Sequence, residues 1–144
     1  MNELLLKLNY KDYPRLCILN GASAFRKSVE KILPDKHVDT VIDPKYLYEF
    51  ILIFTYETAD IEELAPVSIH NLAEDGMLWI VYPKKTSTKY KSDISRDKGW
   101  EPLKKCGFEP VRQVSVNDDL SALRFRNSKF VKSRRKKIKK KRHG

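Results

Sequence analysis

Apolar positions in this chain come in short blocks, and their spacing switches repeatedly between strand-like and helix-like periods. Leu4, Leu5, Leu6 and Leu8 open the chain as a block short enough for either an extra strand or a first helical turn. Residues Arg15 to Asn20 form a compact apolar run stopped by Asn20-Gly21, which reads as a buried strand and a turn. Ser23 is placed to cap a following helix. Phe25, Val29, Ile32 and Leu33 then recur on one helical face, until Pro34-Asp35 ends it. His37 to Ile42 alternates and is rich in β-branched residues, the mark of a second strand, broken at Asp43-Pro44. Tyr46 to Tyr48 suits a short helical turn. Glu49 to Tyr56 is almost continuously apolar, as expected for a central strand covered on both faces.

The second half repeats the alternation. Asp60 and Glu63 have capping-box spacing. Ile61, Leu64, Ile69 and Leu72 give a partial stripe, and Pro66 predicts a break with the helix restarting there and ending at Asp75-Gly76. Met77 to Tyr82 reads as a buried strand, and residues 86–92 as a polar loop. Helical material is expected from Asp93 to Cys106, interrupted at Gly99 and Pro102 and closed by Gly107. Val111 to Val116 and Ser121 to Arg126, around the Asn117-Asp118-Asp119 turn, predict a β-hairpin. Strands alternating with helices imply an α/β fold: a Rossmann-like three-layer sandwich, its mostly parallel sheet closed by an antiparallel C-terminal hairpin.

Charge divides the chain in two. Residues 127–144 hold ten Lys or Arg and no acid; removing those ten from the chain's 29 leaves 19 bases against 19 acids. Residues 1–126 are therefore read as one neutral domain, and 127–144 as a disordered polybasic tail with no apolar face to bury. Lys132, Arg134, Arg135, Lys136, Lys137, Lys139, Lys140, Lys141 and Arg142 would bind nucleic acid or another polyanion by counterion release. No apolar run approaches the ~18 residues of a membrane span. There is no secretion-signal pattern at the N-terminus, and cytoplasmic localisation is expected. Cys17 and Cys106 both lie in apolar-patterned stretches and read as buried thiols. The three histidines share no ligand spacing with them, so no metal site is expected.

In open α/β sheets, ligands bind beyond the carboxyl ends of the strands. Asn20 and Gly21 follow the first strand, and Asp43, 22 positions beyond Gly21, is where a ribose-binding carboxylate would fall. The three are the candidate cofactor residues, although a single glycine also fits an ordinary strand-to-helix turn. Lys84 and Lys85 follow a strand directly and, with Arg96, are candidates for binding an anion; a solvated loop fits them too. Arg96 and Trp100 are four apart, so a guanidinium stacked on the indole is one reading and Trp100 plugging the core another. There is no nucleophile elbow, zinc-protease helix or phosphate loop, and no catalytic residue is assigned.

Leu78-Trp79, Tyr82-Pro83-Lys84-Lys85, Arg96-Asp97, Gly99-Trp100, Pro110 to Val114 and Ser121 to Arg126 together resemble a family of short bacterial proteins carrying a domain of unknown function. The resemblance is close over residues 77–126 and implies a fold more than an activity. The strand order with its terminal hairpin is also similar to a truncated S-adenosylmethionine-dependent methyltransferase. That fold implies a glycine-rich first loop preceded by an acid, where this chain has Leu19 to Ser23. The combined expectation is a non-enzymatic binding or adaptor protein without a cofactor, whose tail contacts nucleic acid or ribonucleoprotein. The alternative is a divergent S-adenosylmethionine-dependent methyltransferase, or a nucleotide or small-ligand binder.

Overall fold

In the computed structural model, residues 3–131 are described. They form α1 (Glu3–Lys7), β1 (Arg15–Leu19), α2 (Ser23–Ile32), β2 (His37–Asp39), β3 (Tyr48–Phe54), α3 (Thr58–His70), β4 (Leu72–Pro83), α4 (Glu101–Lys105), β5 (Phe108–Ser115) and β6 (Leu120–Asn127). The sheet has six strands in the order β2-β1-β3-β4-β6-β5. The first four are parallel; β6 runs against β4, and β5 against β6. Hence β6 alone is reversed, and edge strand β5 points the same way as the first four. The hairpin is present as expected, but its reversed strand lies inside the sheet.

Pleating sends alternate residues to two cores. Cys17, Leu19, Ile51, Ile53, Leu78 and Ile80 pack under α3 and α4 with Trp100 and Leu103. Leu16, Ile18, Phe50, Leu52, Trp79 and Val81 pack under α1 and α2 with Leu5, Leu8 and Val29. Both faces of β3 are thus covered, which is why its sequence is apolar at nearly every position. Helices on each side of the sheet make the expected three-layer α/β architecture.

Several local expectations are corrected. The opening apolar block is a helix. Ser23 is the first residue of α2 and does not cap it; Ala22 is the N-cap, with no side-chain bond. Of that helix's apolar face only Val29 is fully buried, and Ile32 is exposed. Tyr48 belongs to β3, not to a helical turn. The capping box of α3 is built by Glu57 and Asp60, three residues before the expected pair. Pro66 does not break this helix. It sits on the exposed face, where the residue 62 carbonyl that it leaves without a helical donor can meet water. The helix ends at His70, and Leu72 already starts β4, so this strand is much longer than its apolar centre. Residues 93–100 are irregular, and only Glu101–Lys105 is helical.

The fold also continues beyond Arg126. Asn127 closes β6, residues 128–131 turn helically, and the Ser128 amide donates to the Gly107 carbonyl at 2.8 Å. Its hydroxyl donates to Glu109 at 2.8 Å. The start of the basic segment is therefore tied to the sheet. Cys106 is exposed rather than buried; Cys17 is buried as expected.

Candidate functional site

The chain leaves β1 for β2 on one side and then crosses to β3 on the other, so the order reverses between β1 and β3. At that switch point Asn20 adopts a left-handed φ of 58°. Its side-chain amide donates to the Phe54 carbonyl at 3.0 Å and bridges the ends of the two strands. Gly21 lies against this bridge: a Cβ there would come within 3.0 Å of Ile18 Cγ2 and 3.4 Å of Phe54 Cδ1. The first turn of α2, uncapped by any side chain, opens on the same rim.

Beside the switch point is a cleft of about 330 Å³. Leu19 and Asn20 form one end, Val41 and Ile42 one wall, and Glu63 and Leu64 of α3 the other. Val41 is 72% exposed and presents its apolar side chain to the cleft. Asp60 also reaches this cleft, but its carboxylate is engaged by the amides of Tyr56 and Glu57 at 2.8 and 3.1 Å. Glu63 is the exposed carboxylate of the wall.

Asp43 is not brought to Asn20 and Gly21. Its carboxylate faces Arg15, the first residue of β1, at 3.2 Å, whereas Asn20 follows the last residue of that strand. Arg15 also bonds Asp39 at 2.7 Å and lies 4.5 Å from the ring centre of Tyr46. His37 contacts Asp39 at 2.7 Å, and the Tyr48 hydroxyl donates to it. The Lys45 amide and Arg15 hold the Asp43 carboxyl below its ordinary range. Asp43 is thus part of an ion-pair network bracing the amino-end side of the sheet. Spacing alone placed it near a ribose; the short β2 and the returning loop carry it away.

Lys84, Lys85 and Arg96, by contrast, do meet. They line a second cleft of about 330 Å³ at the carboxyl end of β4, with Tyr82 and Gln113. Lys84 Nζ donates to Ser115 Oγ at 2.7 Å, and the Lys84 amide to the Asp119 carbonyl at 2.8 Å. Arg96 is not stacked on Trp100. The indole N–H instead donates to the carbonyls of Ser95 and Arg96 at 2.9 and 3.0 Å, while the ring plugs the core between Tyr82 and Phe125. A buried tryptophan thereby fixes the backbone from which Arg96 projects. Burial pushes the Tyr82 phenol up, opposed by the Arg96 charge.

A larger cleft, about 540 Å³, lies at the amino end of β4 among Leu72, Asp75, Phe108 and Phe130. It contains none of the candidate binding residues and lies away from the strand ends where this class of sheet binds ligands, so size alone does not make it the site. The tail residues Lys132, Arg134, Arg135, Lys136, Lys137, Lys139, Lys140, Lys141 and Arg142 lie outside the described residues. Among the described residues, no helix is long and apolar enough to cross a membrane.

Sequence reasoning missed Val41, Ile42, Glu63 and Leu64 at the first cleft and Gln113 at the second, whereas Tyr82 falls in the strand-end segment Tyr82 to Lys85 that the rim rule points to. Glu63 read as a capping residue because the start of α3 was placed one turn late. Gln113 pairs with Leu123 across the hairpin, so strand alternation alone puts it on the face shared with Tyr82.

No protein-family model matches this chain. No curated protein sequence matches it either. Solved structures do. An S-adenosylmethionine-dependent methyltransferase from Aquifex aeolicus superposes with a TM-score of 0.62 at 12% identity, over 87% of this chain and 88% of that one. The N-methyltransferase NodS from Bradyrhizobium japonicum WM9, in complex with S-adenosyl-L-homocysteine, gives 0.55 at 13% identity, over 86% and 83%. An S-adenosylmethionine-dependent methyltransferase from Clostridium acetobutylicum gives 0.55 at 7% identity, over 86% and 87%. The chain has the Rossmann-like methyltransferase fold; at these identities the likeness is one of fold.

Proposed function

We propose that this protein is a divergent, methyltransferase-like binder of S-adenosylmethionine, with the ligand seated at the β1/β3 switch point and in the adjoining cleft. The observation that carries this reading is the position of that cleft: it opens at the carboxyl end of β1, beside the crossover, in a sheet of the methyltransferase fold. A non-enzymatic adaptor, the leading expectation from the sequence, has no support in the fold or in the similar solved structures, which favour the alternative of a methyltransferase-like protein.

The residues present suit such a ligand. Val41, Ile42 and Leu64 offer an apolar wall for a purine, and the Glu63 carboxylate can accept hydrogen bonds from ribose hydroxyls. The missing Cβ of Gly21 keeps the turn close against Phe54. The free amides in the first turn of α2 suit the carboxylate of an amino-acid moiety. When bound, S-adenosylmethionine supplies a methyl group activated on a sulfonium; the chain's part is to hold and orient it.

Calorimetric titration of the full chain tests the reading. One saturable site is expected for S-adenosylmethionine and for S-adenosylhomocysteine. Val41→Asp, at an exposed position that the fold does not need, should weaken both by about tenfold or more through a charge placed against the purine wall. Absence of heat with either ligand at millimolar concentration, or equal binding by the variant, would overturn it.

A further inference from the structure

We infer that the cleft at the carboxyl end of β4 is a built phosphate-binding site, in which Lys84, Lys85, Arg96 and the Tyr82 hydroxyl grip one phosphate-bearing ligand. This stands apart from the cofactor reading: the two clefts share no lining residue.

Three cations meet in one small cleft whose lining includes no carboxylate. None of the three forms an ion pair among the described residues. Asp97, the nearest acid in sequence, lines a neighbouring depression with Arg96. Asp97 is near enough to act on the Tyr82 phenol, so it offsets part of the positive charge; the remaining like charges repel one another, and an anion relieves that repulsion. A scattered set of surface lysines would show no fixed framework. Here the framework is fixed on two sides. Lys84 is held by its amide bond to the Asp119 carbonyl and its ammonium bond to Ser115. Arg96 extends from the backbone clamped by the Trp100 indole, itself 3% exposed.

Tyr82 adds an independent sign. Its side chain is nearly enclosed, at 3% exposure, yet it lines the cleft. Its oxygen accepts from Gln113 Nε2 at 3.0 Å, and its own proton has no acceptor among the described residues. A tyrosine phenol, ordinarily titrating at about 10 and here pushed higher by burial, holds its proton at neutral pH. A buried hydroxyl with an unspent proton, beneath three cations, is a donor set that asks for an oxyanion. At about 330 Å³ the cleft lies at the low end of small-ligand sites, which run from about 300 to 1,000 Å³. It takes a phosphate with little else enclosed; the rest of the ligand would lie outside. Such a phosphate belongs either to a small phosphorylated molecule or to a nucleic-acid backbone.

Amide chemical-shift mapping on the isotope-labelled full chain at low ionic strength tests the site, because it separates the cleft from the basic segment. Inorganic pyrophosphate is one probe and a short single-stranded DNA oligonucleotide the other. Saturable shifts are expected at residues 82–86, 95–96 and 113. Lys85→Gln/Arg96→Gln, at two exposed side chains, should weaken them by about tenfold or more. Tyr82→Phe should weaken them by a smaller factor while leaving the spectrum folded. Tighter cleft binding of the oligonucleotide names the nucleic-acid backbone as the source; equal or weaker binding names a small phosphorylated molecule. Shifts confined to residues 127–144, or affinity at the cleft unchanged in the double variant, would overturn the inference.

Discussion

Asp39 is 11% exposed at its side chain and is met by Arg15, His37 and Tyr48 together. Its position beside Cys17 matters to the thiol, which is pushed up to about 12, first by burial and then by the Asp39 charge. Cys17 is therefore a protonated, enclosed thiol, while Cys106 stands exposed after α4. A thiol reagent at pH 8 should label Cys106 alone in the folded protein, and both cysteines in denaturant; rapid native labelling of Cys17 would contradict the packing of β1. Asp75 and Arg126 form a second charged pair, with two parallel bonds of 2.7 Å. That bonding holds the Asp75 carboxyl below its ordinary range. A depressed carboxyl stabilises the fold above its unfolded pKa of about 3.9 and loses that contribution as pH falls through the lower folded value. Asp75→Asn should thus cost about 1 kcal/mol in urea unfolding at pH 7, with the gap closing below about pH 4. Residue roles were the least legible part of the sequence. Asp43 had the right spacing for a ribose partner, but a count of residues carries no direction, and the loop before β3 returns it to Arg15. Lys84, Lys85 and Arg96 do gather at one cleft, but the stacking on Trp100 that drew attention to Arg96 is absent.

At the scale of elements, strands were easier to read than helix ends. Fully covered strands announce themselves by continuous apolar runs, as Tyr48–Phe54 does. Helix ends here depend on side chains reaching several residues. Glu57 and Asp60 cap α3 reciprocally, and Asp93, 35 residues on, binds both the amide and the hydroxyl of Thr58 at 2.8 and 2.6 Å. No local pattern could reveal that second cap. It joins the start of α3 to the segment leading to Arg96, so helix and anion cleft share an anchor. Asp60→Ala removes the acceptor for two amides and should cost about 1–2 kcal/mol, read as a lower urea midpoint with an unchanged slope. The unbroken passage of α3 through Pro66 shows that a proline on a solvent-facing side can be tolerated when the opposite side, with Ile61, Ala65 and Ser68, is fully packed.

The described residues build a six-stranded sheet with one reversed strand, and the alternation of strands and helices was sufficient to predict its three layers. The position of the reversed strand was not legible, because hairpin patterning says that β5 and β6 pair but not which of them lies against β4. The strand order creates the switch point, and the proposed ligand would give a use to an otherwise ordinary turn at Asn20-Gly21. The cationic cleft lies two strands away on the same rim, so one edge of the sheet carries both proposed sites. We place the ligand in the switch-point cleft, and not in the larger cleft near Phe130. A crystal structure of the full chain grown with S-adenosylhomocysteine tests that placement most directly. Ligand density is expected between Leu19-Asn20 and α3, with the purine against Val41 and Ile42; density only in the cleft beside Phe130, or none at saturating ligand, would overturn the assignment.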